Sequence, residues 1–142
     1  VRYVTVKVHE NSRKVFGLER WTNKEPTYLV EGPIDSLFLP NSLAMAGADM
    51  SDLSFLNKIN TTLIFDNEPR NDHISKRMVD ALEKGWRIVV WQDQGNKWDS
   101  RAPKDINDMV ISGKTTDEIL KIINKNTYSG QRGKWEVTYW KV

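Results

Sequence analysis

The stretch Tyr28-Leu29-Val30-Glu31-Gly32-Pro33-Ile34-Asp35-Ser36-Leu37 decides the fold of this chain. It begins as a short buried strand, breaks at Gly32-Pro33, and continues with the apolar spacing of a helix. A strand, a tight turn and a helix make up half of a βαβ unit. Glu31 therefore lies at the carboxyl end of a strand, which is where open α/β sheets place their ligand sites.

Asp35 follows Glu31 by four residues and lies in the first turn of the predicted helix. A helix that begins there can direct the Asp35 side chain back over the turn, towards Glu31. Two carboxylates that are held close together repel each other unless a cation lies between them. The pair therefore suggests a hard metal ion with oxygen ligands.

Short apolar runs alternate with segments of helical periodicity from Thr27 onward. Strands are predicted at residues 28–30, 42–46, 61–65 and 87–91, and helices at residues 34–39, 50–59, 73–84, 106–111 and 116–124. This alternation predicts an α/β fold, with a mostly parallel central sheet flanked by helices. Two further strands are predicted outside this alternation, at residues 1–8 and 134–142.

Composition narrows the class of protein. The 142 residues are 39% hydrophobic and 28% charged, as in an ordinary globular domain with a core. There is no apolar run long enough for a membrane span and no signal-peptide pattern, so no membrane partner is expected. The absence of cysteine excludes disulfides, thiolate catalysis and cysteine-ligated zinc. The chain begins at Val1 rather than Met, which suggests a fragment of a longer protein.

Acidic residues follow three of the predicted strands. They are Glu31, then Asp66 and Glu68, then Asp105, with Asp35 in the first helix. The carboxyl ends of parallel strands lie at one edge of a sheet, and Asp66 and Glu68 point the same way in an extended segment. A single acid such as Glu31 is equally well explained as a turn former, but the combination predicts Mg²⁺ or Mn²⁺. The corresponding chemistry is phosphoryl transfer or phosphodiester cleavage.

A family resemblance rests on the same residues. Glu31-Gly32-Pro33-Ile34-Asp35, followed by Asp66-Asn67-Glu68, resembles the TOPRIM domain shared by DnaG-type primases, topoisomerases and some nucleases. That family has a glutamate after its first strand and an acid-x-acid pair after its third. The wider match continues through Pro69-Arg70 and Lys104-Asp105-Ile106-Asn107-Asp108-Met109, and it is similar to the DNA primases of T4-like bacteriophages.

The resemblance implies synthesis of short RNA primers on single-stranded DNA by metal-dependent nucleotidyl transfer. The implied partners are the DNA template, ribonucleoside triphosphates and a replicative helicase, in the cytoplasm of an infected bacterial host. The implied fold is a Rossmann-like TOPRIM sheet, with the catalytic domain at residues 27–113. Residues 1–26 would be the tail and linker of a preceding subdomain, and residues 114–142 a C-terminal helix and a terminal strand.

The resemblance also assigns roles to individual residues. Glu31, Asp66 and Glu68 match catalytic positions, and the implied metal-binding residues are Glu31, Asp35, Asp66, Glu68 and Asp105. Glu68 stands where many relatives have aspartate. Such primases also carry a zinc ribbon that a chain without cysteine lacks, so this fragment is expected to bind metal but to prime weakly or not at all alone.

Three basic residues near the acids are candidates for contacts with nucleotide phosphates or with the template. They are Arg70, Arg101 and Lys104, of which Lys104 adjoins Asp105. Two other functions remain open at this point. One is a TOPRIM nuclease of the overcoming-lysogenisation type, and the other is a non-catalytic module that docks DNA or a helicase.

Overall fold

The computed structural model describes residues 6, 13–46, 49–92 and 102–142. The strands in this part of the chain are β1 (Thr27–Val30), β2 (Ser42–Ala44), β3 (Thr61–Ile64), β4 (Arg87–Val89) and β5 (Thr127–Tyr128). The helices are α1 (Pro33–Ser36), α2 (Asp72–Glu83), α3 (Ile106–Ile111), α4 (Thr116–Lys125) and α5 (Gly130–Trp140). Single turns of 3₁₀-helix cover Leu18–Arg20, Met50–Leu53 and Lys58–Asn60.

The strands form one sheet in the order β2-β1-β3-β4-β5. β1 pairs in parallel with β2 and β3, and β3 pairs in parallel with β4, whereas β5 is antiparallel to β4. The predicted α/β fold with a mostly parallel central sheet is therefore confirmed. The chain passes to opposite sides of β1 to form β2 and β3, which makes the carboxyl end of the β1–β3 pair a topological switch point.

The central strands are buried on both faces, as expected for parallel strands covered by helices. Leu29, Leu63 and Ile88 have no exposed surface, and all four residues of β3 are buried. The predicted amphipathic helix at residues 73–84 is confirmed as α2. The side chain of Asn71 caps the N-terminus of this helix by accepting hydrogen bonds from two backbone N–H groups. Gly85 follows α2 with a φ of 88°, a left-handed conformation that favours glycine.

The predicted terminal strand at residues 134–142 is wrong, because this segment belongs to helix α5. The alternation of Trp135, Val137 and Tyr139 suggested a period of two. In the structure Gly133, Val137 and Trp140 are buried, which is the i, i+4, i+7 spacing of a helix, while Trp135 and Tyr139 are exposed. The second pattern determines the fold because α5 packs against α2.

The predicted helix at residues 50–59 is also wrong. Two 3₁₀ turns replace it, and Asn57 separates them because its side chain accepts a hydrogen bond from the Ile59 N–H. Such local bonds of asparagine compete with helical backbone bonds. Leu53 and Leu56 are nevertheless buried, so the segment still covers the core.

Other predicted bounds need smaller corrections. The first helix is a single turn at Pro33–Ser36, and the strands predicted at 42–46, 61–65 and 87–91 each end one or two residues earlier. The helix at 106–111 is confirmed with the same bounds. The strand predicted at residues 1–8 lies outside the described residues except for Val6. In the described part of the chain, no helix is long and apolar enough to cross a membrane.

The contact between α5 and α2 depends on Gly133. A Cβ atom at this position would lie 2.5 Å from Leu82 Cδ2. Gly133→Ala gains about 1 kcal/mol of helix propensity but overpacks the core, which costs about 1–3 kcal/mol. We expect a net loss of about 1 kcal/mol, measured as a lower urea midpoint. Gln131→Ala, on the exposed face of α5, is the control and should change the midpoint little; a more stable Gly133→Ala variant would contradict this packing.

Candidate metal centre

Three aspartates meet at the carboxyl edge of the sheet. Asp35 comes from α1, Asp66 follows β3, and Asp105 precedes α3. Each offers a carboxylate oxygen, and the three oxygens lie within 4.8 Å of one another. We call this group the aspartate triad. It lies at the switch point of the sheet, because β1 leads into α1 and β3 leads through Phe65 into Asp66.

The turn between β1 and α1 places Asp35 in the triad. Asp35 is only 7% exposed, and its Oδ1 accepts a hydrogen bond of 2.8 Å from the Asn107 N–H in α3. A Cβ atom on Gly32 would lie 3.1 Å from Asp35 Oδ2, closer than most side chains tolerate. Glycine at this position therefore leaves room for the Asp35 carboxylate to fold back over the turn.

Asp105 reaches the triad as the N-cap of α3. Its Oδ1 accepts from the Asp108 N–H at 2.8 Å, and Asp108 Oδ2 accepts from the Lys104 N–H at 3.1 Å. These two bonds resemble a capping box and fix the start of the helix. Asp105 is therefore held by α3, while the Asn107 N–H of the same helix holds Asp35.

Burial among like charges raises the pKa of all three carboxyl groups. The pKa of Asp66 rises to about 8, first because of burial and then because of the charges of Glu31, Asp35 and Asp105. The pKa of Asp35 rises to about 6, again mainly through burial, although its bond from Asn107 opposes the rise. Burial also raises the pKa of Asp105. An all-oxygen donor set with excess negative charge fits a hard divalent cation, which would offset the repulsion.

Glu31 lies beside the triad and is held by two contacts. Its Oε1 forms an ion pair of 2.5 Å with Arg77 Nη1 of α2, and its Oε2 accepts from the Asp66 N–H at 3.0 Å. Arg77 also lies over the Phe65 ring, 5.2 Å from its centroid. Glu31 thus supports the backbone of Asp66, while its own charge is balanced by Arg77.

Glu68 is also paired with a cation. Its Oε1 lies 3.2 Å from Lys104 Nζ, and its Oε2 accepts from Asn71 Nδ2 at 2.8 Å. The extended geometry predicted for residues 66–68 is wrong, because the Glu68 N–H donates to the Asp66 carbonyl and bends the chain. The two acids therefore do not form a simple pair, and Glu68 lies outside the triad.

The three basic residues that were predicted to contact nucleotide or template lie in different environments. Lys104 is near the acids as expected, with its side chain 51% exposed and paired with Glu68. Arg70 is exposed at the turn after Glu68. Arg101 lies outside the described residues, so its predicted contact with nucleotide or template stays a prediction.

Sequence reasoning missed Arg77, although the pattern of α2 contains a signal for it. Ile74, Arg77, Met78 and Ala81 have the i, i+3, i+4, i+7 spacing of the face that packs on the sheet. A charge on a core-facing stripe requires a partner, since burial of an unpaired charge is unfavourable. The nearest acid at the end of β1 is that partner.

Arg77→Met tests whether this ion pair balances Glu31. The variant leaves a half-buried Glu31 carboxylate without its cation, so we expect a loss of about 1–3 kcal/mol in free energy of unfolding, less than for a fully buried pair. Because Glu31 then adds its charge to the triad, the affinity for Mn²⁺ should rise. Urea unfolding and Mn²⁺ titration measure the two effects.

Lys84→Met removes a half-exposed ion pair with Asp80 and is the matched control for this variant. It should change stability by less than about 0.5 kcal/mol and leave Mn²⁺ affinity unchanged. Equal losses of stability in the two variants, or weaker Mn²⁺ binding in Arg77→Met, would show that Glu31 is not balanced in this way.

Comparison with known proteins gives one similar protein of known name. No known protein-family profile matches the chain. The chain is 32% identical to the DNA primase of Enterobacteria phage T4 over 139 residues, which is 96% of this chain. It spans only 39% of the length of that relative. Over that part of its length the chain is therefore similar in sequence to a bacteriophage DNA primase, and its mostly parallel sheet is consistent with a Rossmann-like TOPRIM fold.

Proposed function

We propose that this chain is the catalytic TOPRIM part of a phage primase, which makes short RNA primers on single-stranded DNA by metal-dependent nucleotidyl transfer. The observation that carries the proposal is the meeting of Asp35, Asp66 and Asp105 at the switch point of the sheet, in a relative of a DNA primase. Residues 27–113 would form the catalytic domain, and residues 1–26 and 114–142 would flank it.

The proposed cofactor is Mg²⁺ or Mn²⁺, held by the aspartate triad. When bound, such an ion neutralises triphosphate oxygens and makes the attacking 3′-hydroxyl of the primer more acidic. Three carboxylates leave coordination positions for phosphate oxygens, which is the usual arrangement for Mg²⁺ in phosphoryl transfer. The triad thus supplies charge and orientation, and the substrate completes the site.

The neighbouring acids and bases have proposed roles around this centre. Glu31 and Glu68 would join the metal-binding residues, or act on protons, once substrate changes their ion pairs. Lys104 is the best candidate for a phosphate contact, because its half-exposed ammonium lies 3.2 Å from Glu68 and the residue adjoins Asp105 of the triad. Arg70 and Arg101 would contact nucleotide or template at the rim.

The proposed partners follow from this activity. They are a single-stranded DNA template, ribonucleoside triphosphates and a replicative helicase, with the cytoplasm of the infected bacterial host as the location. An isolated fragment of this length is expected to bind the cation and to prime weakly or not at all, because it matches only part of its relative.

Primer synthesis by a longer protein that contains this segment tests the proposal. Labelled ribonucleotides should be incorporated on single-stranded DNA in Mg²⁺, and Asp66→Asn should abolish incorporation. Asp117→Asn, an exposed acid in the first turn of α4, is the control and should leave it unchanged. Normal priming by Asp66→Asn would refute the proposed role of the triad.

The same assay without nucleotides separates the main alternative. A TOPRIM nuclease would use the same acids, since primer synthesis forms a phosphodiester bond and a nuclease breaks one. Cutting of DNA that requires Mg²⁺ and is lost in Asp66→Asn would identify the chain as a nuclease. Absence of cation binding, even with nucleotide present, would favour a docking module.

A further inference from the structure

Two buried tryptophans hold the residues on either side of Asp66. Trp91 Nε1 donates to the carbonyl oxygen of Phe65 at 2.9 Å, and Trp140 Nε1 donates to Asn67 Oδ1 at 2.8 Å. Their side chains are 4% and 2% exposed. Trp91 follows β4 and Trp140 ends α5, so two distant parts of the chain fasten the same short loop.

The Trp140 bond also determines what Asn67 does with its remaining groups. An asparagine amide has one acceptor oxygen and one NH₂ donor group, and indole is a donor only. With Oδ1 turned towards Trp140, Nδ2 donates to the Pro103 carbonyl at 3.3 Å, and the Asn67 N–H donates to the Lys104 carbonyl at 2.6 Å. Asn67 thus joins the loop of Asp66 to the segment that leads into Asp105.

The two residues after α5 add one contact with the same loop and one with the start of α2. The Val142 N–H donates to the Pro69 carbonyl at 3.0 Å, and Lys141 Nζ lies 3.0 Å from Asp72 Oδ1. The C-terminal end of α5 is therefore held at more than one point, on the loop and on the first turn of α2.

We propose that Trp91 and Trp140 are positioning residues for the metal centre, which preset the distance between Asp66 and Asp105. This inference rests on the proposed cation binding by the triad. Carboxylates of like charge repel each other, so loops that carry them relax apart unless the surrounding structure holds them. A set of ligands that is already in place binds its ion more tightly than one that must be assembled.

The test replaces each indole by a ring that lacks the N–H donor. Trp140→Phe and Trp91→Phe keep most of the buried aromatic surface, and each should weaken Mn²⁺ binding by about 10–100-fold, the usual effect of a residue that supports a metal ligand. Mn²⁺ affinity of the 142-residue chain is measured by the loss of the free-ion signal in electron paramagnetic resonance.

Trp86→Phe is the matched control, because Trp86 is also buried but precedes β4, at the amino end of the sheet. It should lower the thermal midpoint by a similar amount and change Mn²⁺ affinity by less than about twofold. Asn67→Ala also removes the bond from Nδ2 to the Pro103 carbonyl, so it should weaken binding at least as much as Trp140→Phe does. Adding Trp140→Phe to Asn67→Ala should weaken binding no further, since the bond between the two side chains is already lost.

The outcomes are distinct. Unchanged Mn²⁺ affinity in Trp140→Phe and Trp91→Phe, while Asp66→Asn loses binding, would overturn the positioning role and leave the metal centre intact. If Asp66→Asn also retains its affinity, the proposed centre itself is wrong. Should a variant fail to fold, a Mg²⁺ titration of the wild-type chain followed by NMR decides the question. The indole N–H resonances of Trp91 and Trp140 should shift, and that of exposed Trp135 should not. The absence of a shift at both buried indoles would overturn the inference.

Discussion

Asp66→Asn is expected to weaken Mg²⁺ or Mn²⁺ binding by more than about 100-fold and, at the same time, to stabilise the metal-free chain. A direct ligand should matter more than a supporting residue, whose loss costs about 10–100-fold. The stabilisation follows from burial and from the charges of Glu31, Asp35 and Asp105, which oppose ionisation of this carboxyl group. At neutral pH this carboxyl group must either take up a proton or be buried as an anion when the chain folds, and a neutral amide of the same shape removes that cost.

Thermal unfolding with and without Mn²⁺ measures both effects in one experiment. The wild-type midpoint should rise with Mn²⁺, whereas the midpoint of Asp66→Asn should start higher and not respond. Asp117→Asn should behave as wild type in its response to the ion, because Asp117 lies on exposed α4. A variant that is less stable and still responds to Mn²⁺ would contradict the account.

Cation binding by the triad is expected to strengthen steeply between about pH 6 and about pH 8.5. In the folded chain the pKa of Asp35 is about 6 and that of Asp66 about 8, both above the usual 3.8. The ligands must lose their protons before they bind, so affinity rises as pH passes through these values. Binding near neutral pH should release about one proton, mainly from Asp66.

The stability of the metal-free chain should change in the opposite direction. A carboxyl group whose pKa is raised on folding holds more protons in the folded state between its unfolded and folded pKa. The contribution of Asp35 and Asp66 to the free energy of unfolding is therefore largest below about pH 4, and it is lost as the pH rises through about 6 and about 8. Calorimetry in buffers of different ionisation enthalpy measures the proton release, and an affinity that does not vary with pH would contradict the raised pKa values.

Local signals in the sequence predicted the elements that build the site. The break at Gly32-Pro33 defined the β1–α1 turn, and the β-branched run before Asp66 defined β3. These features depend on neighbours in the chain, which is why their positions were predicted to within a residue or two. The edge of the sheet where the acids meet followed from the rule for parallel strands.

The ion pairs of Glu31 and Glu68 with residues distant in the chain could not be predicted from the sequence. Five acids were expected to share one cluster, but Glu31 and Glu68 pair with Arg77 and Lys104, which lie 46 and 36 positions away in the chain. Only the three aspartates form the triad in the described structure. Local spacing does not contain such pairings, because they depend on how α2 and the segment before α3 pack.

Helix α5 illustrates the same limit. Its alternating Trp135, Val137 and Tyr139 are consistent with a strand, and only its contact with α2 favours the helical face of Gly133, Val137 and Trp140. The bond from Trp140 to Asn67 then follows from tertiary packing. No motif in the sequence marked this tryptophan as a neighbour of the metal centre.

The most direct test of the account is to locate the cation on the wild-type chain. Substoichiometric Mn²⁺ broadens the resonances of nearby nuclei, so backbone amide signals of an isotope-labelled sample report where the ion binds. The account predicts that the amides of Asp35, Asp66 and Asp105 broaden first and together. Broadening confined to exposed acids such as Asp117, with the triad unaffected both with and without a nucleoside triphosphate, would contradict it.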